Sequence, residues 1–256
     1  MQIAYAEHYW QDGRVLNEGR PAVLDGYGLA DGVFETVAFR QNRLERWPAH
    51  LARLREACSF FALALPYDDD ALTAFAKTLL TTADATRDYR LRLTVARRGS
   101  GSTVTMTYAP IGPPPASITL VPTEVLRPAG NPSARFKTLA YVDHVHAQRG
   151  LAQGGMALLC NQWGRVACAA YANVFVERAG TWVTPSIAEG ALPGVVRAEL
   201  LEAGAIEGAV TLPELSGARV RVTNSLIGVA EGRLSDHSTR ITGSTPNPSS
   251  ATPLRS

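Results

Sequence analysis

The sequence predicts an α+β fold built on largely antiparallel sheets. Three observations carry the prediction. Period-2 segments are joined by turn signals such as Asp12-Gly13 and Gln41-Asn42. Helical-period segments fall between them without the regular strand–helix alternation of a parallel sheet. The stretch Pro110 to Pro115 (PIGPPP) cannot pair as a strand and stiffens the connection, so a domain boundary is placed near it.

Taken in order, residues 1–20 read as a hairpin, with the second arm at Arg14-Val15-Leu16. Asp25-Gly26-Tyr27-Gly28 reads as a glycine-punctuated loop. A second hairpin has Val33 to Phe39 as its first arm and turns at Gln41-Asn42. Residues 47–63 predict a helix, because Leu51, Leu54, Cys58 and Phe61 share one face. Another helix is expected over 70–83, and strands over 89–97 and 102–109 flank Arg98-Gly99-Ser100-Gly101. Beyond the prolines, strands are expected at 117–122, 156–161, 165–168, 172–178, 181–183 and 219–223. Helices are expected at 143–153 and 194–204. The division gives an N-terminal domain over 1–112, a C-terminal domain over 116–237 and a Ser/Thr/Pro-rich tail over 238–256 that reads as flexible.

The chain has 256 residues, enough for one large or two modest cores, with 46% hydrophobic and 19% charged residues. Its 25 basic and 23 acidic residues give a net charge of +2 and no polybasic run, so neither nucleic acid nor a membrane surface is an expected partner. Cys58, Cys160 and Cys168 have no metal-like spacing, so no metal is expected and reduced buried thiols are the default. The N-terminus lacks the basic and apolar regions of a secretion signal, and no apolar run is long enough to span a membrane. A cytoplasmic location is the expectation.

The stretch Gly164 to Arg197 is the most informative. It ends in Gly190-Ala191-Leu192-Pro193-Gly194-Val195-Val196-Arg197, a turn that opens a helix. Free N–H groups at a helix start attract anions, and flanking glycines let main chain approach a ligand. Other candidates lie elsewhere: Lys137 within FKTLAYV, Arg53 within His50-Leu51-Ala52-Arg53-Leu54, Asp31-Gly32-Val33-Phe34-Glu35-Thr36, and Thr223 to Val229 (TNSLIGV). By propensity alone each has a plain reading: a solvated edge lysine, an exposed helix arginine, a strand, a turn. GYGLADG is not a dinucleotide fingerprint, and no strand–helix unit surrounds it.

Together, in order and spacing, these motifs resemble the class IV (fold-type IV) pyridoxal-phosphate enzymes: branched-chain and D-amino-acid aminotransferases and, most of all, 4-amino-4-deoxychorismate lyase. The resemblance covers most of residues 20–235. It implies a two-domain architecture, a homodimer and pyridoxal 5′-phosphate as cofactor. It implies that Lys137 carries the cofactor aldehyde as a Schiff base and moves the substrate α-proton. It gives the cofactor phosphate to Arg53, to the N–H groups of Val195 and Val196, and to the hydroxyl of Ser225. Phe34 and Thr36 become candidates for substrate contact. Tyr141 is a further candidate, at a spacing from the lysine that differs by one from the aminotransferase pattern. Ala30 stands where the family has glycine, and Asp25 where it usually has arginine.

One departure bears on chemistry. Five residues before Asn173 the family carries a glutamate that keeps the pyridine nitrogen protonated; this chain has Cys168 there, between Ala167 and Ala169. A neutral thiol cannot hold a pyridinium as a carboxylate does, whereas a thiolate could. The expectation is a lyase that eliminates pyruvate to leave 4-aminobenzoate. No second arginine for a branched-chain α-carboxylate is obvious. The alternatives are a class IV aminotransferase on D- or branched-chain amino acids, or a cofactor-binding homologue whose activity is lost or altered.

Overall fold

The first half of the chain folds on a six-stranded antiparallel sheet, in a computed structural model that describes residues 9–12, 14–16 and 29–235. Its strands are β1 (Tyr9–Gln11), β2 (Arg14–Leu16), β3 (Gly32–Arg40), β4 (Arg43–Leu44), β5 (Tyr89–Arg98) and β6 (Gly101–Pro110), in the order β2-β1-β6-β5-β3-β4. The β3–β4 hairpin turns where expected: Gln41 and Asn42 both have positive φ (48° and 58°), and such a turn matches the twist of the strands it joins. Helices α1 (Trp47–Phe60) and α2 (Asp69–Leu80) lie between β4 and β5 in the chain. Asp68 caps α2 by accepting from the Ala71 N–H at 2.8 Å, and Asp69 and Asp70 follow in its first turn. Leu51, Leu54 and Cys58 of α1 are buried with Val33, Val37, Leu91 and Val95 of the sheet. Each fully buried leucine there contributes about 2 kcal/mol. The helix expected over 47–63 stops at Phe60, and Ala62 turns left-handed (φ 49°) to start the exit loop.

The second half forms an eight-stranded mixed sheet. It comprises β7 (Ser117–Leu126), β8 (Gly155–Cys160), β9 (Val166–Ala169), β10 (Asn173–Arg178), β11 (Thr181–Thr184), β12 (Ile206–Glu207), β13 (Val220–Asn224) and β14 (Gly228–Leu234). Their order is β12-β11-β10-β13-β14-β7-β8-β9, with parallel pairing at β11/β12, β14/β7 and β7/β8 and antiparallel pairing elsewhere. Helices α3 (Val142–Gln148) and α4 (Val195–Glu202) belong to this half. The helix expected over 143–153 is shorter because Gly150 adopts φ 81° and ends it. Strand β14 was not expected: its glycines depress strand propensity. Gly232 is there for space, since a Cβ on it would lie 2.8 Å from Val220 Cγ1.

The two sheets are stitched together at one place that matters for the site. Strand β4 pairs only with Phe39 and Arg40, leaving the start of β3 open on that side. Residues 137–139 fill it: Phe34 N–H donates to Lys137 O at 2.8 Å and Leu139 N–H to Gly32 O at 2.9 Å. The loop at Asp25 to Gly28, most of the first hairpin and the tail over 238–256 lie outside the described residues. Among the described residues no helix is long and apolar enough to cross a membrane, and no cluster of three or more His, Cys, Asp or Glu is placed to hold a metal ion.

Candidate active site

A cavity of about 570 Å³ lies where the sheets meet, within the range of cofactor and small-ligand sites. It collects every site residue named from the sequence. Lys137, Arg53, Cys168, Val195, Val196 and Ser225 line it, and so do Phe34, Thr36 and Tyr141. They come from β3, α1, the stitched segment, the β9 and β13 ends and the α4 start.

Lys137 reaches into this space from a backbone pinned to β3. Its Nζ stands 4.7 Å from the Phe34 ring centroid and 5.4 Å from that of Tyr141. Among the described residues it has no ion-pair partner. Burial, and then the Arg53 charge, bring the amine down to about 8. An amine so placed has a usable neutral fraction near pH 7, as a carbonyl-capturing base requires.

Arg53 is held on three sides. Its Nε and Nη2 donate to the two oxygens of Glu35 at 2.7 and 2.6 Å, and Nη1 donates to Pro193 O at 2.8 Å. Five N–H bonds are available on a guanidinium, so two remain for a ligand. Glu35 is 2% exposed, and although burial opposes its charge, Arg53 and His50 bring its carboxyl down to about 2. His50 Nδ1 lies 2.7 Å from Glu35 Oε2, and its Nε2 lies 3.0 Å from Ser225 Oγ. A chain of polar contacts thus joins Pro193, Arg53, Glu35, His50 and Ser225.

The start of α4 completes this end. Val195 and Val196 are buried, and the N–H groups of a first helical turn have no intrahelical acceptor. Asn173 Nδ2 donates to Leu192 O at 2.8 Å and fixes the turn that leads into the helix. Thr223 Oγ1, wholly buried in the cavity wall, has no hydrogen-bond partner among the described residues. Gly194 is needed for space: a Cβ on it would run into Asn173 Oδ1. Gly194→Ala is expected to displace Asn173, cost about 1–3 kcal/mol and weaken cofactor retention. Thermal unfolding and visible absorbance of the purified variant check both.

At the other end, Cys168 is 6% exposed, and burial pushes its thiol up to about 11. Burial thus favours the thiol over the thiolate in the cofactor-free protein. Glu177 points elsewhere, pairing with Arg219 at 2.8 Å. Tyr141 stacks on His144 with ring centroids 4.3 Å apart, and burial pushes its phenol up to about 12. His144 is held neutral, down to about 3 by burial, and its Nδ1 has no partner among the described residues.

The sequence reading missed the arginines of the cavity. Arg90, Arg92 and Arg127 line it beside Lys137, so the expected lack of a second arginine is corrected. Arg90 and Arg92 sit two apart on β5, hence on one face, while Leu91 between them is fully buried on the other. Arg92 lies 3.6 Å over the Phe34 ring. Arg127, just past β7, donates to Gly190 O and Ala134 O at 3.3 and 2.8 Å. No carboxylate is among the described residues lining the cavity.

Solved structures share this fold, although no curated protein matches the chain. The 4-amino-4-deoxychorismate lyase from Pseudomonas aeruginosa superposes with TM-score 0.76 at 27% identity, over 89% of this chain and 91% of that one. Branched-chain amino acid aminotransferase from Escherichia coli gives 0.78 at 16% identity over 90% and 86% of the two chains. A branched-chain amino acid aminotransferase from T.th., complexed with N-(5′-phosphopyridoxyl)-L-glutamate, gives 0.77 at 18% over 90% and 85%. The two-domain fold is therefore that of the fold-type IV enzymes. The family model for class IV amino-transferases matches residues 32–233, and the chain belongs to that family, whose cofactor is pyridoxal 5′-phosphate.

Proposed function

We propose that the chain is a pyridoxal-phosphate lyase of the 4-amino-4-deoxychorismate type, releasing pyruvate and leaving 4-aminobenzoate. The donor set fits the cofactor. Lys137 offers an amine with a neutral fraction, the orphaned Thr223 hydroxyl and the α4 start offer hydrogen bonds, and Arg53 has two N–H bonds to spare. Arg53, Val195, Val196 and Ser225 would hold the phosphate and Lys137 the aldehyde.

The observation that carries the choice of substrate is the cation cluster of Arg90, Arg92 and Arg127 in a cavity without a lining carboxylate among the described residues. A branched-chain amino acid has one carboxylate and an apolar side chain. The lyase substrate has two carboxylates, and guanidinium forks suit both. Bound pyridoxal phosphate supplies an electrophilic aldehyde and an electron-withdrawing ring. Lys137 takes the proton from the carbon that bears the substrate amine. The bond from the ring to the ether oxygen breaks, its electron pair leaves with that oxygen, and the ring becomes aromatic. A solvent proton turns the released enolate into pyruvate. Beside the cofactor ring, Cys168 as a thiol would leave that ring less electron-demanding than a carboxylate would, a state that elimination would tolerate better than two transamination half-reactions.

Two variants test the assignment. The Arg90 side chain makes no hydrogen bond or ion pair among the described residues, and its strand pairing is through the backbone, so Arg90→Met is expected to leave the scaffold intact. It is expected to raise KM for the dicarboxylate about 10-fold or more with unchanged cofactor loading. An unchanged KM would remove Arg90 from the substrate site. Cys168→Glu is expected to raise the rate at which D-alanine alone converts the cofactor to its amino form, followed by absorbance. Unchanged spectra and rates would mean that Cys168 is not beside the ring nitrogen. Rapid conversion by the wild type would favour the aminotransferase reading.

A further inference from the structure

His50 is the one group in the phosphate-end network whose proton count is set by its neighbours. Glu35 is a carboxylate and can only accept. Both its oxygens already take N–H bonds from Arg53, and Oε2 also faces His50 Nδ1 at 2.7 Å. The Nδ1 position therefore carries a proton. His50 is fully buried, and burial lowers its basicity below the ordinary value. In the ligand-free protein the ring is neutral, and Nε2 presents a lone pair.

That lone pair faces Ser225 Oγ at 3.0 Å. A hydroxyl has one proton, and here it is given to His50. Ser225 then turns only lone pairs toward the cavity, the wrong polarity for a phosphate dianion beside the α4 start. A second proton on His50 reverses the contact: Nε2–H donates to Ser225 Oγ, and the hydroxyl proton is released to the phosphate.

We infer that His50 is a positioning residue that takes up a proton when the cofactor phosphate binds, turning the Ser225 hydroxyl from acceptor to donor toward it. The step balances: one proton enters from solvent at His50 Nε2, no covalent bond to carbon changes, and the dianion gains a donor. The charges facing His50 are Glu35 from β3, which favours the uptake, and Arg53 of α1 and Lys137 of the stitched segment, which oppose it. A bound dianion adds the negative charge that tips the balance. The inference rests on the phosphate lying at Ser225 and the α4 start.

The test uses pyridoxine 5′-phosphate, which has the ring and the phosphate but no aldehyde, so Lys137 chemistry is silent. Binding is measured by titration calorimetry at pH 7 in two buffers of different ionisation heat. The wild type is expected to take up about one proton more per site than His50→Asn, whose amide still reaches Glu35. A second readout needs no variant: the imidazole nitrogen shifts of His50 should move from the neutral Nδ1–H pattern to the doubly protonated one on adding the probe. Binding with no proton uptake, uptake that persists in His50→Asn, or unchanged His50 shifts overturns this inference alone. No binding of the probe at all overturns the phosphate placement with it.

Discussion

Lys137→Met is expected to abolish turnover, by at least about 10⁴-fold, while making the cofactor-free protein more stable. Loss of activity follows from the roles proposed for Lys137, the carbonyl-capturing amine and the base. The gain in stability follows from the cost of keeping a cation in this wall. Lys137 stands among cations and aromatic rings with no carboxylate partner among the described residues, and its amine is lowered to about 8 from an ordinary 10.5. Below pH 8 the unfolded chain holds that proton more tightly than the folded one, so the full penalty applies. Between about 8 and 10.5 the unfolded state binds more protons, wild-type stability rises with pH, and the penalty fades. At pH 7 the methionine variant should gain on the order of 2 kcal/mol, or roughly 5 °C in Tm, and the gap should close above pH 10. The same titration predicts that the apoprotein captures the cofactor faster as pH rises through 8. Unfolding curves of both proteins across this range check the claim; a variant of equal or lower Tm at pH 7 would contradict it.

Glu35→Gln is expected to have the opposite effect on stability. It leaves Arg53, nearly buried, without its counter-ion, and breaking a buried pair from one side costs about 3–5 kcal/mol. For a chain of this size that is a fall in Tm of roughly 10 °C. Because the Glu35 carboxyl is lowered to about 2, its contribution is present in full above about 4.5 and is lost as pH falls from there toward 2. The gap between wild type and variant should therefore narrow only in acid. The cofactor should also dissociate more readily, since the Arg53 fork loses the partner that orients it. A Tm within about 2 °C of wild type at pH 7 would mean that the Glu35–Arg53 pair does not carry the load its geometry gives it.

These two residues mark the limit of what the sequence made legible. Lys137, Arg53, Ser225 and the Gly194-Val195-Val196 turn each sit in a short motif readable within a few residues, and all of them line one cavity. Glu35 stands within the motif Asp31 to Thr36, yet the resemblance singles out only its neighbours Phe34 and Thr36. Along a strand it faces the opposite way, and its partners His50 and Arg53 reach it only because α1 packs on that face of β3. Arg90 and Arg92 had a local signal, charges two apart around a core leucine, but which face of β5 meets the cavity depends on how the second sheet is placed. Arg127 had no signal at all, because it follows β7 by one residue and is aimed by Gly190 and Ala134, distant in sequence. The chain has no polybasic run, but its cations gather in space: among the described residues five converge on the cavity from four separate segments. The same limit applies to the elements. β14 pairs with β13 and β7 through residues that look turn-like on their own, and α3 ended early at a glycine that periodicity had overrun.

The proposed elimination on an amino dicarboxylate is tested most directly by mixing the pyridoxal-phosphate-loaded protein with 4-amino-4-deoxychorismate, with no amino acceptor present, and measuring both products. The account predicts pyruvate and 4-aminobenzoate in equal amounts over many turnovers, with the cofactor spectrum unchanged at the end. Neither product from a fully loaded protein, or a single-turnover conversion of the cofactor to its amino form, would contradict it.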